Sequence, residues 1–188
     1  KVDRRGRFVA GYMSYDEESD YSGLYRLDPD LTCHRLDDGI VVSNGPCWSP
    51  DDGTFYFADT WKALYAYDYD ADAGTLSNRR VFVPVEDDTD GVPDGATVDS
   101  EGFVWSCQVY GSKIHRYAPD GTLDRVIDFP IQNITSVMFG GPELDVLYVT
   151  SMGRQPVRGK PSSDPRNGGV FEVRGLGVRG LPEPRFAG

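Results

Sequence analysis

Cysteine and histidine are scarce in this chain of 188 residues, with three of the first and two of the second. Cys33, Cys47 and Cys107 show no C-x-x-C spacing. An odd number of scattered thiols reads as reduced core residues, not as a disulfide framework. That favours a cytoplasmic protein. The chain starts at Lys1 without a visible signal peptide, although a missing front end would remove one. His34 and His115 lie far apart in strand-like runs, so a zinc pair is not expected and surface or rim positions are the default. No apolar run is long enough to span a bilayer, so no membrane partner is expected. Basic charge is also thin, with 19 Lys and Arg against 30 Asp and Glu, a formal charge of −11. No basic patch is left to neutralise phosphates, which argues against nucleic acid. G-x-S-x-G is absent, so a serine-elbow esterase has no support. Ser49, Ser100 and Ser136 read as turn and strand-end residues. Helical periodicity is missing over any long stretch, which disfavours helical solenoids.

What the chain has is a repeat. Its length suits one domain with a real core and is short for two. Four segments follow one template: an apolar anchor, a turn with glycine, a strand, a loop, and a second strand. The anchors are Val2, Trp48, Val98 and Phe139. The turns carry Gly6, Gly53, Gly102 and Gly140-Gly141. The first strands contain Arg7–Gly11, Phe55–Phe57, Phe103–Trp105 and Val146–Val149. The second strands contain Gly23–Pro29, Ala63–Asp68, Lys113–Ala118 and Gly169–Val173. A period of roughly 40–50 residues is that of propeller blades. The expected fold is all-β, a β-propeller with about four blades in residues 1–188, because the whole unit repeats. Asp16 to Asp20 reads as an acidic loop. Glu86 to Asp90 reads as a solvated charge run, and Gly153 to Gly169 as a mobile surface loop.

Four residues before an anchor, each of two units carries an oxygen-bearing side chain beside glycine: Asn44-Gly45 and Asp94-Gly95. The fourth unit has Thr135 there. The first unit's counterpart would precede Lys1, so the chain reads as lacking N-terminal blades. An open set of blades exposes strand edges and favours association. In a propeller the innermost strands surround one channel, so equivalent positions converge. A carboxylate and an amide carbonyl facing one axis suit a hard divalent cation. Asn-Gly and Asp-Gly are also ordinary turn dipeptides, with side chains that cap backbone N–H groups.

Several motifs resemble the SMP-30/gluconolactonase family of six-bladed propeller lactonases, which includes regucalcin. They are G-R-F-V-A-G-Y-M at Gly6–Met13, S-N-G-P-C-W-S-P-D at Ser43–Asp51 and Y-D-Y-D at Tyr67–Asp70. L-S-N-R-R at Leu76–Arg80, P-D-G-A-T-V-D-S-E-G at Pro93–Gly102 and T-S-V-M-F-G-G at Thr135–Gly141 follow. L-Y-V-T-S at Leu147–Ser151 and the tail from Gly168 to Gly180 complete the series. The resemblance implies one divalent metal ion, Ca, Zn, Mn or Mg, held by a Glu, an Asn and an Asp. Asn44 and Asp94 match two of these. The Glu, and an Arg and Asn that touch substrate, have no counterpart. A further acidic substrate contact falls on Asp16 or Glu17.

The chemistry so implied is hydrolysis of a small-molecule sugar lactone to the aldonic acid. A cation polarises the lactone carbonyl and lowers the pKa of bound water. Asp94 would act as both ligand and general base, which requires hydrogen-bond reach to the attacking water. Asn44 would be a neutral ligand that keeps the cation electrophilic. With the Glu unmatched, the chain itself is expected to be weak or inactive. A calcium-binding regulatory propeller without turnover and a metal-dependent phosphotriesterase fit the same two residues, and fold alone does not separate them.

Overall fold

The computed structural model of the protein describes residues 1–86, 90–154 and 161–188. The charge run at Glu86–Asp90 and the loop at Gly153–Gly169 lie partly outside the described residues. Those described form fourteen strands and no helix, so no helix is long and apolar enough to cross a membrane. The first sheet holds β1 (Phe8–Gly11), β2 (Ser22–Leu27) and β3 (Cys33–Ile40), with Val2 bridged to Phe8 on its inner side. The second holds β4 (Ser43–Trp48), β5 (Thr54–Asp59), β6 (Ala63–Asp70) and β7 (Thr75–Pro84). The third holds β8 (Val92–Val98), β9 (Val104–Val109), β10 (Lys113–Tyr117) and β11 (Leu123–Asp128). The fourth holds β12 (Ile134–Gly140), β13 (Val146–Ser151) and β14 (Val170–Val173). Each sheet is an antiparallel meander in chain order, and β4, β8 and β12 pack side by side as inner strands. These are four consecutive blades of a β-propeller.

Burial explains why some strands were legible and others were not. β5 and β9 are sandwiched between neighbouring blades, and nearly every residue in them is buried. Such strands carry continuous apolar runs, here Phe55-Tyr56-Phe57-Ala58 and Val104-Trp105. The outermost strands β7 and β11 are largely exposed and polar, as is β3. Periodicity alone did not mark them, and the backbone ladder places them.

The core lies between blades. Val9, Leu24 and Ile40 of the first sheet pack on Trp48, Phe55, Phe57 and Tyr67 of the second. Cys47, Tyr56 and Leu64 meet Ala96, Val98, Val104 and Tyr117 across the next junction. Trp105, Cys107 and Ile114 meet Ile134, Phe139, Leu147 and Val149 across the last. Trp105 is fully buried and meets Phe139 edge-on, with ring centroids 5.7 Å apart.

One turn recurs after each inner strand. The N–H of Gly6, Asp52, Gly102 and Leu144 donates to the carbonyl of Asp3, Ser49, Asp99 and Gly141 respectively. All four donors have positive φ, between 53° and 87°. Asp3 and Asp99 reinforce this turn with their side chains. Asp99 Oδ1 accepts from the N–H of Glu101 and Phe103, and its Oδ2 accepts from Trp105 Nε1 and from Arg116 Nε and Nη2.

Two expectations about scarce residues are corrected. Cys33 is exposed on the outer strand β3, whereas Cys47 and Cys107 are buried, and all three are free thiols. His115 is not a rim residue. It is buried, because β10 is an interior strand covered by β11 and the second blade, and its Nδ1 lies 2.8 Å from Tyr117 Oη.

Candidate functional site

Asn44, Asp94 and Thr135 occupy one structural position. Pairing with the second strand of each blade slips between Asn44 and Cys47, between Pro93 and Ala96, and between Ile134 and Ser136. Each residue therefore sits at an irregularity in its inner strand. The reading of Asn44-Gly45 and Asp94-Gly95 as tight turns is corrected here: both pairs lie inside β4 and β8. The glycines serve close approach instead. A Cβ on Gly45, whose φ is +56°, would stand 2.7 Å from the Asp94 carbonyl oxygen, and one on Gly95 would strike Ser136 Oγ. Glycine at these two positions makes room for the neighbouring inner strand.

That contact brings the three positions together. Asn44, Asp94 and Thr135 line one cavity of about 400 Å³, with Lys1, Ser136 and Met138 also on its wall. Asn44 Nδ2 donates to Thr60 Oγ1 at 2.9 Å, which fixes the amide and leaves Oδ1 as its acceptor side. Thr135 Oγ1 lies 2.9 Å from Thr150 Oγ1. Lys1 Nζ donates to Thr97 Oγ1 and pairs with Glu183.

The Asp94 carboxyl opens partly to the cavity yet is surrounded by protein. Burial pushes its pKa up to about 7, the Gly95 backbone opposes this, and the nearby Glu17 charge adds to it. Burial, then Glu17 and Asp94, likewise push the Tyr110 phenol up to about 12. Glu17 therefore belongs to this end of the molecule. Its Oε2 accepts from Trp61 Nε1 at 3.1 Å, and Trp61 stacks on Tyr110 with centroids 5.9 Å apart. Asp16 faces a different task. Its carboxylate bonds Ser14 Oγ, the Glu18 and Ser19 N–H groups and Ser19 Oγ, and these bonds, led by Ser14, hold its pKa down at about 2. Asp16 shapes the loop that carries Glu17, which itself has a φ of 55°.

Whether these groups suit a divalent cation is decided by donor chemistry. The cavity offers one anionic oxygen from Asp94, one amide oxygen from Asn44 and one hydroxyl from Thr135. This is an oxygen-only set suited to hard cations. Among the described residues no guanidinium or ammonium pairs with Asp94, since the Lys1 ammonium on the same wall is engaged by Glu183 and Thr97; a buried carboxyl so placed gains from a cation, so the set fits. Among the described residues no group of three His, Cys, Asp or Glu is placed to hold a metal ion.

Sequence reasoning gave no role to Thr60, Trp61, Tyr110 or Lys1. Thr60 and Trp61 directly follow the apolar run of β5, at the end of the blade that faces the site. That placement was the only available signal for them.

Comparison with known proteins agrees with the architecture. Residues 1–153 match the model of the SMP-30/gluconolactonase/LRE-like region. The chain belongs to this family. It is 38% identical over 192 residues to regucalcin of Danio rerio, covering all of this chain and 65% of that protein. It is 40% identical over 153 residues to the pentonolactonase XacC of Haloferax volcanii, covering 81% of this chain and 52% of that protein. A crystal structure described as a calcium-binding protein, regucalcin, from Agrobacterium tumefaciens superposes with a TM-score of 0.87 at 28% identity, covering 99% of this chain and 63% of that one. The chain thus spans less than two thirds of the length of these relatives.

Proposed function

We propose that this family member takes part in cation-dependent hydrolysis of a sugar lactone to its aldonic acid. The observation that carries the reading is the shared cavity of Asn44 and Asp94, at one irregularity of two adjacent inner strands. Support comes also from the likeness to a pentonolactonase. Asn44, Asp94 and, more weakly, Thr135 would hold the cation. When bound, the cation supplies Lewis acidity toward the lactone carbonyl and the attacking water.

The chain's own residues divide the remaining work. Asp94 takes the proton that water loses as it adds to the carbonyl, and ring opening then gives the carboxylate and a hydroxyl. A carboxyl poised near neutrality suits that transfer. Thr60 keeps the Asn44 amide oriented. Glu17, fixed by Trp61, offers an acceptor to sugar hydroxyls beside the cavity, in preference to Asp16, whose oxygens are engaged in its own loop.

A pH-stat assay of the protein at the full length of its relatives, with a panel of aldonolactones and with and without Ca²⁺, Mn²⁺ or Zn²⁺, tests the reading. Cation-dependent acid release that Asp94→Ala abolishes supports it. Cation binding at Asp94 without acid release from any lactone would favour the second reading, a calcium-binding protein without turnover, which the Agrobacterium structure's description makes worth testing.

A further inference from the structure

The second and third blades do not close completely against one another. A cavity of about 460 Å³ runs between them, apart from the Asn44 and Asp94 site. Leu64, Val83 and Pro84 of the second blade give it one apolar wall, while Gln108, His115 and Tyr117 of the third give it a polar one. Registry explains the polar wall. Gln108 pairs with Lys113 and Ser106 with His115 across β9 and β10, so these side chains share one face of the sheet. Trp105, Cys107 and Ile114 alternate to the opposite face and join the core with the fourth blade.

The polar wall is made of buried residues whose hydrogen-bonding capacity is only half used within the protein. Gln108 is 4% and His115 8% exposed. Gln108 Nε2 donates to Ser106 Oγ at 3.2 Å, and His115 Nδ1 is engaged with Tyr117 Oη. Gln108 Oε1 and His115 Nε2 have no hydrogen-bond partner among the described residues. Neither belongs to the fully buried atoms that lack a partner, so both open onto the cavity and can bond what enters it. Burial lowers the pKa of His115 and keeps the imidazole neutral. At the rim, Lys113 is already paired with Asp90, and Glu86 adds negative charge, so the cavity does not attract anions.

We propose that this interblade cavity is a binding site for a small uncharged molecule with a flat apolar body and a hydroxyl or amide edge. The body lies against Leu64, Val83 and Pro84, and the edge bonds Gln108 Oε1 and His115 Nε2. The volume falls in the range of small-molecule pockets, about 300–1,000 Å³, and the mixture of an apolar wall with few fixed polar atoms is typical of them. Water alone would satisfy the polar wall and leave the apolar wall wet.

Benzamide has this chemistry, and the sequence makes its binding easy to follow, because His34 and His115 are the only two histidines. We expect titration of the full chain with benzamide to move the His115 imidazole resonances to saturation and leave those of His34 in place. We also expect ring contacts to Leu64 and Val83 methyl groups in nuclear Overhauser spectra. Gln108→Leu keeps the shape and removes the acceptor, so affinity should fall about tenfold, the worth of one hydrogen bond. Val83→Trp fills the cavity and should abolish the shift. A His115 signal that stays put up to the solubility limit of benzamide overturns the proposal. So does one that drifts in step with His34, or an unchanged affinity in Gln108→Leu. Should Val83→Trp fail to fold, the parent titration and Gln108→Leu decide alone.

Discussion

Asp94 lies near the start of β8 and Asp99 just past its end, five residues apart, and their surroundings differ in kind. Asp99 accepts from two backbone N–H groups, an indole and a guanidinium. Every lone pair it buries is used to close a turn and to anchor β10 through Arg116. Asp94 has burial, one backbone contact and a like charge nearby, and its pKa rises to about 7. A carboxyl left in that condition does not help the fold. Polar groups that burden stability persist where they serve chemistry, which is the physical reason to place function at Asp94 and architecture at Asp99.

The comparison can be broken most severely at Asp94. In the protein at the full length of its relatives, Asp94→Ala should lower cation-dependent lactone hydrolysis by about 10²–10⁴-fold, the range for loss of a general base, while thermal unfolding holds or improves. Asp99→Ala should do the reverse. It removes the acceptor of the buried Trp105 indole and of two turn N–H groups and leaves Arg116 only Glu101 and Asp124, so stability should fall by about 1–3 kcal/mol in denaturant titrations. A stable Asp99→Ala protein would erase the distinction.

Smaller effects sharpen it. Thr60→Val frees the Asn44 amide, and cation affinity measured by calorimetry should drop about 10-fold or somewhat more, with little change in melting temperature. Trp61→Phe keeps the stack on Tyr110 but removes the donor to Glu17. It should raise the KM for lactone several-fold and leave kcat nearly unchanged. The smallest expected effect is a pH dependence. Because the folded pKa of Asp94 lies above its ordinary 3.8, the cation-free protein holds a stabilising contribution below that value and loses it as pH rises through about 7. A divalent cation binds the ionised form, so its stabilisation, read as a shift in melting temperature, should be larger at pH 8 than at pH 5.

The blades were legible because their interior strands are written in long aromatic and aliphatic runs, with the apolar anchors Trp48, Val98 and Phe139 in constant register. The matching of Asn44, Asp94 and Thr135 followed from that register. Outer strands such as β7, Thr75–Pro84, were not legible, since an exposed strand is stabilised by its ladder and carries no apolar signal. The local conformation at Asn44-Gly45 and Asp94-Gly95 was misread because glycine next to Asn or Asp signals a turn as readily as a close strand crossing. Only the neighbouring blade reveals which. His115 was misplaced for a related reason: its burial comes from the second blade and β11, not from its own strand. The contacts of Asp16 and Glu17 needed three dimensions as well, because neighbouring carboxylates in a loop point to different partners.

The central claim is that residues 44, 94 and 135 form one cation site at the inner strands. Paramagnetic broadening by substoichiometric Mn²⁺, mapped by amide NMR, tests it most directly and registers weak binding. The account predicts broadening centred on Asn44, Gly45, Asp94, Gly95 and Thr135, and its disappearance in Asp94→Ala. Broadening centred on the exposed acidic loop from Asp16 to Asp20, or unchanged in Asp94→Ala, would contradict it.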